Sequence, residues 1–158
     1  MSEYLVKLQT NNYYNELRNL LIGHVFHVTC NENYIEIVKS LAVAPNTLSK
    51  NESPFGLTVN GFFRKRNCVS MFDYRECTSD GWLQHEYDCL PTMPLAKCGK
   101  IAVMYLVKND YYKLISWENW KSENAYSDRI VPYIEIGHPG PIYISSISDV
   151  IIVEASQG

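Results

Sequence analysis

The spacing of apolar positions changes along the chain. Behind Asn11-Asn12, residues Tyr13, Tyr14, Leu17, Leu20 and Leu21 recur at the interval of one helix face, and Gly23 supplies a stop. A short strand is predicted over Val25–Thr29. A second helix follows, capped by Asn31 or Asn33, with Tyr34, Ile37, Val38 and Leu41 on its inner side and Pro45 at its end. Residues 46–61 are rich in Ser, Asn, Pro and Gly and predict a loop. Further strands are predicted over Asn67–Tyr74, Ile101–Val107, Val131–Ile136, Ile142–Ile144 and Val150–Glu154. Ile101–Val107 is apolar throughout, the mark of an interior strand. A short helix is expected within Tyr111–Trp120 and a turn at His138-Pro-Gly-Pro141, while Arg75–Gly99 reads as irregular.

Helices therefore come early and strands late, with no regular βαβ alternation, which predicts the α+β class. A length of 158 residues suits one core, so residues 1–158 are expected to form a single domain. With 46% hydrophobic and 20% charged residues the chain is not of the disordered type. The 12 tyrosines suit a cleft as readily as a small core.

Charge and cysteine content narrow the function classes. A net charge of -3 argues against a broad electrostatic grip on nucleic acid. The cluster Arg64-Lys65-Arg66 is able to hold one phosphate, although a solvated basic run is its common explanation. The opening MSEYLVKLQTNN lacks a basic stretch followed by an apolar one, and the apolar runs are too short to span a bilayer. The expected setting is the cytoplasm. The cysteines number 5, with no CxxC pair, and in a reducing compartment all are expected as free thiols. His24, His27 and Cys30 are three apart, but in a strand that spacing alternates faces, so no metal site is expected.

Three polar positions sit on predicted strands. His27 and Thr29 share a face with Val25, opposite Phe26 and Val28. Each has a bland reading too: a histidine on a strand is usually a satisfied structural group. Ser70 shares a face with Cys68, Phe72 and Tyr74, where a small hydroxyl beside aromatics suits a flat ligand; a strand serine bonded to backbone is the commoner case. Glu135 lies within an apolar strand, where a carboxylate is costly unless it meets water, a partner or a cleft.

In order, these segments resemble a known pattern. Val25-Phe-His-Val-Thr29 leading into Tyr34–Leu41 is similar to the first strand and helix of ADP-ribosyltransferase folds of the diphtheria-toxin and DarT-like type. Cys68–Phe72 resembles that fold's second motif, and Pro132-Tyr-Ile-Glu-Ile-Gly-His-Pro-Gly-Pro-Ile142 its late catalytic-glutamate strand. The likeness runs over residues 25–153, with Arg75–Lys100 unaligned. It departs at Tyr133, where arginine-modifying relatives carry Gln or Glu two residues before the glutamate, and both Ser70 and Tyr74 suit the second-motif neighbourhood.

The resemblance implies a split sheet with N-terminal helices and an enzyme that breaks the nicotinamide–ribose bond of NAD. It would transfer ADP-ribose to a macromolecule, protein or nucleic acid. Glu135 would stabilise the cationic ribose, His27 and Thr29 would hold the adenosine-side ribose, and Ser70 would border the nicotinamide. Arg66, or alternatively Arg64, would pair with the diphosphate. The rivals are a non-catalytic interaction protein on the same fold, an NAD-using RNA 2′-phosphotransferase, and a cysteine hydrolase built on Cys30 or Cys68 with His27. His27, Ser70 and Glu135 are expected to line one cleft.

Overall fold

Alternating side chains on extended segments give this chain a sheet with two apolar faces, and the helices are placed by which face they cover. The computed structural model describes residues 1–45, 55 and 61–155. In chain order the strands are β1 (Ser2–Lys7), β2 (Val25–Cys30), β3 (Ala42–Val43), β4 (Cys68–Asp73), β5 (Lys100–Leu106), β6 (Ile115–Ser116), β7 (Glu135–Pro139), β8 (Ile142–Tyr143) and β9 (Ile147–Glu154). The helices are α1 (Tyr13–Leu21), α2 (Asn31–Ser40), α3 (Phe62–Lys65), α4 (Asp80–His85), α5 (Leu95–Cys98) and α6 (Glu118–Ser122). Seven strands join in the order β1-β9-β5-β2-β4-β7-β6, and β3 pairs with β8 separately. The pairings are antiparallel except β1 with β9. The protein is α+β.

On one face Phe26, Val28, Phe72, Tyr74, Val103 and Val153 pack under Leu17 and Leu21 of α1 and Trp82 of α4. On the other, Val25, Met71, Met104, Ile136 and Ile152 pack with Tyr34 of α2. Chain spacing dictates this split, since Val25 and Phe26 go to opposite cores. A buried polar knot holds α1 in place. Glu86, 4% exposed, accepts hydrogen bonds from the Tyr14 hydroxyl and Arg18 Nε, each at 2.5 Å, and the Tyr14 and Tyr74 hydroxyls meet at 3.0 Å. Leaving such a carboxylate unpaired would be costly, so the knot fixes the angle of α1 on the sheet.

Several expectations are corrected. β1 was not legible as a strand. Val38 and Leu41 are exposed (39% and 65%), leaving Tyr34 as the buried residue of α2. Arg75–Gly99 contains α4, a 3₁₀ turn at Glu86–Asp88 and α5. Residues 132–134 form a turn, and the strand begins at Glu135, so His138 and Pro139 belong to β7. Ile134 and Ile136 consequently enter opposite cores. The predicted loop at 46–61 lies, apart from Phe55 and Gly61, outside the described residues. The expectation of five free thiols is overturned. Cys30 and Cys98 form a disulfide across a separation of 68 residues, with Cα atoms 5.8 Å apart, while Cys68, Cys77 and Cys89 are free. Sheet pairing brings the two together: Cys30, at the end of β2, sits opposite Ile101 at the start of β5, just beyond α5. Among the described residues, no helix is long and apolar enough to cross a membrane.

Candidate functional site

Glu135 is held by a turn that the sequence pattern concealed. Its backbone N–H donates to the Val131 carbonyl at 3.0 Å, and its carboxylate accepts from the Val131 N–H at 3.2 Å. The chain reverses between them through Tyr133, whose φ of 68° is the left-handed region that a tyrosine rarely adopts. Its ring compensates by lying 4.5 Å from Trp117 and 5.7 Å from His85, and against Gly81, where a Cβ would come within 2.4 Å of it. That packing aims Glu135 at the first residue position of β7.

Register then fixes its neighbours. Glu135 lies opposite Phe72, and Ser70 opposite Gly137, so Ser70 and Glu135 share one face. The Ser70 hydroxyl donates to the second carboxylate oxygen at 3.3 Å. Aromatic rings flank the pair. Phe55 packs on Phe72 at 5.5 Å between ring centroids, and Phe63 rests on Gly137, where a Cβ would come within 2.2 Å of its ring. Gly137 is needed here because no side chain fits under Phe63.

His27 reaches this pair from elsewhere. Opposite Met104, it belongs to the pleat face of Val25, not that of Ser70. β2 and β4 pair only at Val25–Asp73 and Phe26–Phe72 and then part. Through that seam the His27 ring donates from Nδ1 to the Ser70 carbonyl at 3.1 Å. Only an N–H can bond a carbonyl, so this contact sets the tautomer and leaves Nε2 with its lone pair. His27, Ser70 and Glu135 thus form one hydrogen-bonded chain across three neighbouring strands. The expectation of a single cleft is overturned: His27 lies on the opposite face of the sheet from Ser70 and Glu135.

The electrostatics follow from enclosure. Burial pushes the Glu135 carboxyl up to about 7, against the lowering effect of the Val131 N–H and the Ser70 hydroxyl. Burial lowers His27 below the ordinary histidine value, with the Ser70 carbonyl opposing, so the ring is neutral near pH 7. Cys89, which spacing did not single out, feels the same carboxylate. Burial and then the charge of Glu135 push its thiol up to about 12, so it stays protonated and is a poor nucleophile.

The remaining candidates stand apart. Thr29 is 4% exposed, opposite Ala102, and its hydroxyl is enclosed. Arg66 is committed to the fold. Its guanidinium donates to Glu123 at 2.9 Å, Asp128 at 3.1 Å and the Phe62 carbonyl at 2.9 Å, and stacks 3.6 Å over the Phe62 ring. Its assignment to a diphosphate is therefore corrected to that of a strut between α3 and residues 123–128. Cys30 is disulfide-bonded and Cys68 buried, with its thiol raised by burial, which removes the cysteine-hydrolase reading. Among the described residues, no group of three His, Cys, Asp or Glu is placed to hold a metal. Two surface hollows, one at Lys7, Gly99 and Glu154 and one between β1 and α2, include none of the seam residues.

Compared with protein-family models, curated proteins and solved structures, the chain matches none.

Proposed function

We propose that the chain is an NAD-dependent mono-ADP-ribosyltransferase working at the β2/β4/β7 seam. The observation that carries the reading is the adjacency of the three motif strands. Residues 27, 70 and 135 are far apart in sequence, yet β2, β4 and β7 are neighbours, and the Ser70 hydroxyl meets the Glu135 carboxylate. The short pairing of β2 with β4 is compatible with the split sheet that the resemblance implies, although the seven strands form one continuous sheet.

The chemistry asks little acid catalysis. The nicotinamide of NAD is a cationic leaving group, and it departs neutral with the bonding electron pair as the ribose carbon becomes positive. A fixed carboxylate near that carbon binds the transition state better than the ground state. Glu135 in its ionised form has that charge, and partial enclosure strengthens it. Ser70 borders the nicotinamide, and Phe63 and Phe72 exclude water; His27, on the other pleat face, acts through its bond to the Ser70 carbonyl and positions β4. The acceptor, a protein or nucleic acid, attacks the ribose carbon and loses its proton to solvent. The cytoplasmic setting expected from the sequence is not carried into this reading, since bonds such as Cys30–Cys98 are rare there.

A second reading, a non-catalytic binder on the same fold, draws on one observation. The carboxylate of Glu135 is already engaged by Val131 and Ser70 and serves the turn as well as any ligand. Isothermal titration with NAD, followed by nicotinamide release from labelled NAD with cell lysate as acceptor, separates the two. Binding with release supports the transferase, binding without release the binder, and the absence of binding ends both NAD readings.

A further inference from the structure

Among the described residues, β1 pairs with β9 alone, and nothing pairs with its outer edge. The Leu8 N–H donates to the Glu154 carbonyl at 3.0 Å. In a parallel pair successive residues turn their N–H and C=O groups alternately to the two sides, so Val6 and Tyr4 also face β9. Glu3, Leu5 and Lys7 turn theirs outward. The strand SEYLVK carries no proline, and the charged residues that could blunt its edge, Glu3 and Lys7, are of opposite sign. Tyr4 and Leu5 are 56% and 58% exposed, and Leu5 borders a hollow lined by Ile35, Val38 and Ile152. Contiguous exposed apolar surface of this kind marks contact sites.

The charges along the strand identify the occupant. Pairing β1 antiparallel with a second β1 about Leu5 sets Leu5 against Leu5, Glu3 against Lys7, and Lys7 against Glu3. All three outward-facing residues then fall in hydrogen-bonded pairs, and both charged pairs are opposite in sign. The pattern is self-complementary, as a two-fold interface requires. In the single chain these charges are loosely used: Lys7 lies 3.9 Å from Glu154 with its side chain 68% exposed, and Glu3 accepts from the Tyr34 hydroxyl at 2.7 Å. We propose that two copies of this chain associate through β1, antiparallel about Leu5, into one continuous fourteen-stranded sheet (seven strands from each copy).

One strand pair is a small interface, so sedimentation velocity should cover roughly 1–300 µM chain. The wild type is expected to dimerise within that range. Leu5→Pro removes an outward N–H, which an edge strand tolerates, so it should remain folded by circular dichroism and sediment as a monomer throughout. Glu3→Lys sets like charges opposite each other and should weaken association about tenfold. Combining it with Lys7→Glu should restore the wild-type value, a rescue that holds the proposal to account even if Leu5→Pro fails to fold. A wild type monomeric to the top of the range leaves the edge to another kind of partner and overturns the proposal. So does a folded Leu5→Pro that still dimerises, or a charge swap that rescues nothing.

Discussion

Burial pushes the Glu135 carboxyl up to about 7, which makes its charge a variable near neutral pH. Two opposite trends follow. Below about pH 4.5 the group is protonated in folded and unfolded chains alike and contributes nothing. As pH rises towards 7 the unfolded chain ionises first, so the fold loses stability, by up to about 3 kcal/mol for this residue alone. Above 7 that loss is constant. Activity should run the other way, falling as pH drops through about 7 and the carboxylate is lost. Glu135→Gln removes the titration, so the melting temperature of the wild type relative to this variant should decline between pH 5 and 8 (roughly the window set by the two pKa values). A flat difference would show an ordinary surface glutamate. Glu154→Gln is the control: Glu154 lies 3.9 Å from Lys7 and 4.0 Å from Lys100 at the surface, and its loss should change stability by less than about 0.5 kcal/mol.

Among the elements, β7 and α3 shape the site most. Gly137→Ala would drive a Cβ into the Phe63 ring, which is 1% exposed and has nowhere to go. Overpacking of this kind costs about 1–3 kcal/mol, measurable by urea unfolding, and a neutral result would show that α3 gives way freely. Arg66→Ala should also lower the urea midpoint, because the Phe62 carbonyl loses its donor, the Phe62 ring loses its stacked guanidinium, and Asp128 keeps only Lys65. NAD affinity should not change with it, whereas a weakened affinity would return Arg66 to the ligand. With buried residues on both faces, the strands bearing His27 and Ser70 were legible as short, largely apolar runs. The start of β7 was not. Val131-Pro-Tyr-Ile-Glu alternates like a strand, and only the left-handed Tyr133, stabilised by Trp117 and His85 from distant segments, makes it a turn. Arg66 was misread for a similar reason: nothing local shows that Glu123 and Asp128 return to it. β1 escaped notice because both its faces are largely exposed, so it carries little alternation.

At the scale of the whole molecule, the Cys30–Cys98 bond closes a loop of 68 residues that contains both Ser70 and the segment leading into β5. Chain-entropy arguments give such a closure about 4 kcal/mol. Alkylation without reductant should therefore modify three cysteines on unfolding, and five after reduction, with a lower melting temperature in the reduced protein. Five modified without reductant would remove the bond from the account. The central claim is that Glu135 opposes positive charge on a ribose at the seam between β2, β4 and β7. It is tested most directly by nicotinamide release from labelled NAD, comparing wild type with Glu135→Gln at pH 8, with NAD affinity measured alongside. The account predicts release by the wild type and a loss of roughly 10²–10³ in rate for the variant, at unchanged affinity. Equal rates in the two proteins, or no NAD bound by either, would contradict it.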